Sequence, residues 1–352
     1  MNAAAQPKAA ETKAKTTRVG VVEGGAVLPH EVLGLSVAQL EQAYRTMVYA
    51  RRFEEKAASL YQNKEIQGFC HLAIGQEATT TGTKLAAGPM DDFITSYRCH
   101  NMALDCGLSG DEIMAELTGR ATGISKGKGG SMHMFEPSKH FWGGHGIVAA
   151  QVPLGVGLAF AAKYRGETDR VAYVFMGDGA MNAGQVFEAF NMAALWQLPV
   201  VFVIENNKWG MGTSVARAAA GNLVERGTPF GIRGETVDGM DLFAVVEAVR
   251  RARAEALTGK PVLLEFDTYR YRGHSMSDPA KYRTRDDVEG VREARDPIVR
   301  LETYLKANFK KTSEWFEDVD ESIKTEVNAV AERAVTAPYP DASELWTDVV
   351  PE

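Results

Sequence analysis

Residues 171–213 read VAYVFMGDGAMNAGQVFEAFNMAALWQLPVVFVIENNKWGMGT, and the fold class follows from this stretch. The apolar run Val171–Met176 stops abruptly at Gly177-Asp178-Gly179. An amphipathic segment follows, in which Val186, Phe187, Phe190, Ala194 and, at its margin, Trp196 recur on one helical face. Pro199 ends that segment, and a second apolar run, Val200–Ile204, leads straight into Asn206-Asn207. A strand–helix–strand unit of this kind makes its two strands parallel. Parallel strands deliver their carboxyl ends to one edge of the sheet, where open α/β folds bind ligands. Asp178 and Asn207 are therefore expected to meet there. A carboxylate and a carboxamide oxygen beside glycines suit a hard divalent cation that keeps its remaining positions for phosphate oxygens and water. Taken singly, Asp178 would be a turn residue and Asn207 a cap. It is the spacing of the two motifs that is specific.

The rest of the chain bounds the class. With 352 residues there is room for one large or two modest domains, and 45% apolar with 24% charged residues is ordinary globular composition. A net charge of −7 argues against a general nucleic-acid surface. Three cysteines, Cys70, Cys99 and Cys106, show neither CxxC nor zinc spacing, which predicts a reduced intracellular setting with buried thiols. Residues 141–162 lack Asp, Glu, Lys and Arg and approach spanning length, but His145, Gln151, Pro153 and several glycines divide them into a Gly-rich loop and a small-residue helix. No membrane insertion is expected. Residues 1–30 read as a flexible N-terminal arm, poor in arginine and carrying Glu11, so a bacterial cytoplasmic protein is the plainer reading than a mitochondrial matrix one. Ser36 to Gln39 forms a capping box ahead of a stripe of Leu40, Tyr44, Met47 and Val48. Asp241 opens a further helix, with Leu242, Val245, Val246, Val249 and Ala252 on one face and Gly259 at its end. Pro261–Phe266 reads as a strand, and the charged residues 301–352 as a C-terminal helical extension. Gly155-Val-Gly157 fails the GxGxxG pattern, and KGKGGSMHM (126–134) has no Walker spacing and reads as a structural loop.

GDG, then a helix, a strand and NN, resembles the diphosphate-binding motif of thiamine-diphosphate enzymes. GFCHLAIGQEA (68–78), TSYRCHNMAL (95–104), GIVAAQVPLG (146–155), ENNKWGMGTSVARAAA (205–220), VDGMD (237–241) and TYRYRGHSMSDPAKYRTR (268–285) extend the likeness. Together they resemble the 2-oxo acid dehydrogenase E1 α subunits, those of pyruvate dehydrogenase in particular, over residues 35–300. The resemblance implies an α/β thiamine-diphosphate-binding fold, a mostly parallel sheet with helices on both faces and helical N- and C-terminal extensions. Residues 31–300 would be the diphosphate-binding domain. It implies thiamine diphosphate and Mg²⁺ as cofactors and oxidative decarboxylation of pyruvate, with transfer of the acetyl group to a lipoyl group of the E2 acetyltransferase. An acetoin or broader 2-oxo acid dehydrogenase stays open, as does a non-catalytic paralogue, which would be expected to have lost its Mg²⁺ ligands. The chain carries strand signals for one sheet, so the domain holding the aminopyrimidine, with its activating glutamate, is expected on a β subunit in an α₂β₂ heterotetramer.

By the same resemblance Mg²⁺ would be held by Asp178, the Asn207 side chain and the Trp209 carbonyl. Gly179 and Ala180 would admit the diphosphate, Tyr97 and Arg98 would address it, and Gly146 and Val148 would add backbone and apolar contacts. His71 and His274 are the acid–base or donor candidates, because imidazole titrates near working pH. Ala183 stands where many relatives carry an amide, so one diphosphate contact is expected to be absent. Tyr269–Arg285, rich in turn formers and arginines, is expected to be a lid, with Ser275 at the position that kinases phosphorylate in mitochondrial relatives.

Overall fold

The computed structural model describes residues 27–349. The arm expected over residues 1–30 lies outside the described residues except for its last four, of which Pro29 and His30 begin a short helix, Pro29–Val32. Six parallel strands form one sheet: β1 (Asp92–Ser96), β2 (Phe141–His145), β3 (Ala172–Gly177), β4 (Val200–Asn206), β5 (Arg233–Asp238) and β6 (Val262–Asp267), in the order β2-β1-β3-β4-β6-β5. Val174 pairs with Phe202 and Gly177 with Glu205, so the GDG and NN motifs leave neighbouring strands at the same edge. The apolar runs are continuous rather than alternating because both faces are covered. On β3, Tyr173 and Phe175 join one core cluster while Val174 and Met176 join the other.

The first cluster packs α1 (Val37–Gln62), α2 (Glu77–Ala86) and α5 (Leu242–Ala256) on one face, and the second packs α3 (Gln151–Tyr164) and α4 (Gly184–Leu195) on the other. The capping box at Ser36 is present in full, its hydroxyl accepting from the Gln39 N–H at 3.2 Å. Asp241 caps α5 by accepting from Phe243 and Ala244. The C-terminal helices α6 (Pro297–Phe309) and α7 (Ser313–Thr336) join the core: Leu301, Leu305, Phe316, Val319 and Val327 are buried in the first cluster with α1. No helix among the described residues is long and apolar enough to cross a membrane.

Two details differ from the sequence reading. The helix α4 ends at Leu195; Trp196 is its C-cap, 44% exposed, and Ala193 rather than Ala194 is buried. Trp196 instead packs across the surface on Phe160, ring centroids 5.4 Å apart. The Gly-rich segment expected as a loop contains the strand β2. Gly143 has φ +97°, and a Cβ there would come 2.9 Å from the Met134 carbonyl, while one on Gly144 would meet the Cys99 sulfur at 2.6 Å. Close backbone packing demands glycine here, and glycine erases the apolar pattern that announces a strand.

Candidate active site

The sheet order reverses at β1: the chain goes from β1 to β2 on one side, then crosses to β3 on the other. Loops that leave such a switch point part and open a crevice. Here a cleft of about 790 Å³ opens at the carboxyl ends of the strands. β1 leads to Tyr97 and Arg98, β2 leads to Gly146 and Val148, and β3 leads to Asp178, Gly179 and Ala180. Asn207 and Trp209 follow β4, and His274 follows β6, with His71 arriving from the loop before α2. Every residue singled out from the sequence thus lines one cleft, although they are spread over some two hundred positions.

Asp178 is 5% exposed and opens a short 3-10 turn, Asp178–Asn182; α4 starts only after it, with Ala183 as its N-cap. Burial pushes the Asp178 carboxyl up to about 6, against the pull of its own backbone N–H and of Arg270, Lys208 and Arg98. Gly179 and Gly210 lie back to back: a Cβ on Gly179 would stand 3.8 Å from the Gly210 Cα. That pairing leaves bare backbone facing the cleft beside Asp178.

Arg270 is the residue whose place sequence reasoning missed. The sequence predicts one arginine of a basic loop, yet it is 1% exposed and, among the described residues, the largest fully buried side chain. Its Nη1 donates to Asn207 Oδ1 at 3.2 Å and to the Trp209 carbonyl at 3.3 Å, and its Nη2 donates to the Tyr282 hydroxyl at 2.8 Å. A cation therefore already bridges two of the three oxygens expected to hold Mg²⁺. Burial first, and Arg98 second, pull its pKa down to about 10. Among the described residues no three His, Cys, Asp or Glu side chains converge on a metal position. A divalent ion here would rest on one carboxylate, one carboxamide and one backbone carbonyl, which leaves positions for phosphate oxygens. Hard-cation chemistry fits that donor set.

The two histidines form an edge-to-face pair, centroids 5.2 Å apart, with the Tyr97 ring 4.4 Å from His71. Burial, followed by Arg98, lowers His71 to about 3 and His274 to about 4. Both rings are thus neutral near pH 7, and the Nδ1 atoms of both have no protein partner. Arg98 is less free than a phosphate ligand would be: it donates to the Leu72 carbonyl and, at 2.9 Å, to that of His274, tying the two histidine loops together. A buried relay lies behind His71. Its backbone N–H donates to Ser131 Oγ at 3.3 Å; that hydroxyl meets His100 Nε2 at 2.9 Å, and His100 Nδ1 meets Glu54 Oε2 at 2.9 Å. Glu54, His100 and Ser131 carried no signal of their own, because their partners are distant in sequence.

The loop over Tyr269–Arg285 has no regular structure until α-helical residues begin at Arg285, but it is tied down. Tyr271 N–H donates to the Ile74 carbonyl and Met276 N–H to that of Cys70. Asp278 accepts from the His274 N–H at 2.7 Å and from the Tyr282 hydroxyl at 2.8 Å.

Residues 45–343 match the family model described as "Dehydrogenase E1 component". The chain is 53% identical over 311 residues to the pyruvate dehydrogenase E1 component subunit alpha of Rhizobium meliloti (strain 1021), covering 88% of this chain and 89% of that one. It is 48% identical over 311 residues to the protein of the same name from Rickettsia bellii (strain RML369-C), covering 88% and 94% of the two chains. It is also 48% identical over 323 residues to the mitochondrial pyruvate dehydrogenase E1 component subunit alpha-1 of Arabidopsis thaliana, covering 91% and 82%. With a switch-point cleft, a GDG-to-NN pairing across adjacent strands and relatives that match over most of their length, the chain belongs to the dehydrogenase E1 component family.

Proposed function

We propose that this chain is the α subunit of a two-subunit pyruvate dehydrogenase E1, using thiamine diphosphate and Mg²⁺ and passing the acetyl group to the lipoyl group of an E2 acetyltransferase. The observation that carries this reading is the convergence of Asp178, Asn207 and the Trp209 carbonyl at the mouth of the switch-point cleft. The pyruvate preference rests on the relatives, all named for pyruvate. When bound, the thiazolium supplies the electron sink for loss of CO₂ from a 2-oxo acid. The protein's own contributions are binding and orientation. Asp178, Asn207 and the Trp209 carbonyl would hold the cation, beside the Arg270 guanidinium that donates to the latter two. Gly179, Ala180 and Gly146 let backbone approach the diphosphate, while Val148 adds an apolar wall. Tyr97 and Arg98 hold His71 and His274 at the cleft, each neutral and with a buried Nδ1 that has no protein partner.

Part of the cleft's rim is apolar and exposed. Phe69, Val148 and Met211 line it, yet they are 62, 51 and 65% exposed. Clustered exposed apolar side chains mark a partner surface. A pyrimidine-binding β subunit closing over this rim accounts for them, and the reading calls for no nucleic-acid partner. The three thiols are all buried and free, which fits a reducing intracellular setting.

The test is reconstitution. The purified chain with thiamine diphosphate, Mg²⁺ and pyruvate should reduce an artificial electron acceptor at a negligible rate, and adding the β subunit should restore turnover. Pyruvate should be preferred to 2-oxobutyrate, branched 2-oxo acids and acetoin. Full-rate turnover by the chain alone would overturn the two-subunit reading; preference for acetoin would overturn the substrate.

A further inference from the structure

A carboxamide has two ends of nearly equal shape and opposite chemistry: one accepts hydrogen bonds or binds a cation, the other only donates. Whichever end of Asn207 faces the cleft decides whether a cation can sit there. The adjacent Asn206 is not available for that task. Its Nδ2 donates to Glu265 Oε1 at 2.6 Å and its Oδ1 accepts the Lys208 N–H at 3.1 Å. Asn207 is 6% exposed, so both of its ends need protein or ligand partners.

Resting on the proposed Mg²⁺ reading, we propose that Gln76 is a positioning residue, whose side-chain carbonyl turns the Asn207 carboxamide so that Oδ1 faces the cation position. Asn207 Nδ2 donates to Gln76 Oε1 at 3.0 Å, while Oδ1 accepts from the Arg270 guanidinium on the opposite side. Flipping Asn207 would set oxygen against oxygen at Gln76 and N–H against N–H at Arg270, two losses at once. Gln76 itself could flip with it, but N–H would still face N–H at Arg270, which has no acceptor to offer. Gln76 Nε2 donates to Glu205 Oε1 at 3.4 Å, and the same oxygen accepts from Thr79 Oγ1 at 3.1 Å. The chain of donors therefore runs one way, set at its start by a guanidinium that only donates: from Arg270 to Asn207 Oδ1 and from Asn207 Nδ2 to Gln76 Oε1. Gln76, 1% exposed, is the N-cap of α2 but makes no side-chain cap bond; its side chain is committed to this relay instead.

The experiment is a double-mutant cycle read out by metal affinity, using Mn²⁺ and thiamine diphosphate with the assembled α and β subunits. Gln76→Met removes the acceptor at nearly constant volume. It should weaken Mn²⁺ binding about tenfold, as expected when a buried amide loses the partner that fixes it. In an Asn207→Asp background the same change should cost less than about threefold, because a carboxylate presents an oxygen either way round. A purely structural role for Gln76 would weaken binding equally in both backgrounds, and that result overturns the proposal, as does unchanged affinity in the single variant. Gln76→Leu, which also lacks the acceptor, gives the same comparison should Gln76→Met not fold. Wild-type protein that fails to bind Mn²⁺ with thiamine diphosphate would instead overturn the cofactor reading itself, so the two failures are distinguishable.

Discussion

Glu116 offers a quantitative test of how the KGKGGSMHM loop supports the site. It lies at the end of the helix Gly110–Leu117 and is 0% exposed, and among the described residues no Lys, Arg or His side chain pairs with it. Its charge is met by backbone alone. Oε2 accepts from the N–H groups of Ser125 and Gly127, both at 2.8 Å, and Oε1 from those of Gly129 and Gly130 at 2.7 and 2.9 Å. Glu116→Gln replaces one oxygen by NH₂, and in either orientation that group faces two N–H donors. Hydrogen bonds to a charged group are worth about 1.5–3 kcal/mol each, so losing two costs about 3–6 kcal/mol. Against a total stability of about 5–15 kcal/mol, the loop should open locally or the chain unfold. Ser131, at the far end of this loop, accepts the His71 N–H, so turnover should fall as well. The assay is thermal unfolding together with tryptic cleavage after Lys126 and Lys128 in the assembled enzyme. An unchanged midpoint with unchanged cleavage would refute the claim that this buried carboxylate holds the loop.

Three further outcomes are expected. Asp178→Ala should reduce Mg²⁺-dependent binding of thiamine diphosphate at least a hundredfold by titration, with the unfolding midpoint nearly unchanged, because the lost carboxylate is buried and its pKa already raised; equal affinity would remove Asp178 from the cation site. Ser275→Glu should lower pyruvate turnover more than tenfold, since Ser275 is 8% exposed, sits 2.9 Å from the Ser277 hydroxyl, and follows His274; full activity would separate this loop from the site. Burial, opposed by Thr80, Thr81 and Lys84, pushes the Asp105 carboxyl up to about 7, and its Oδ2 has no partner. A folded pKa raised above the unfolded one means that the stability present below about pH 4 is lost as pH rises toward 7. Asp105→Asn should therefore gain roughly 2–4 kcal/mol over wild type at pH 8 and little at pH 4, measured by denaturant unfolding; equal stability at both pH values would count against it.

Much of the architecture was legible in the sequence because it is encoded locally. Continuous apolar runs, a helical stripe between them, Pro199 and the capping residues at Ser36 and Asp241 are short-range signals, and each corresponds to an element in the structure. Parallel pairing of β3 and β4 follows from the crossover alone, and that pairing brings the GDG and NN motifs to one edge. What the tertiary structure alone decided concerns partners far apart in the chain. Nothing local distinguishes Arg270 from the other arginines of its loop; only the folded chain places its guanidinium between Asn207, Trp209 and Tyr282. Gln76 and Glu205 are separated by 129 positions and become neighbours only in the folded chain. β2 escaped detection because its glycines are selected by contacts with Met134 and Cys99 rather than by strand propensity. Periodicity reports which face of an element is buried, while hydrogen-bond direction, ring protonation and the orientation of an amide are set by what the remainder of the chain puts opposite.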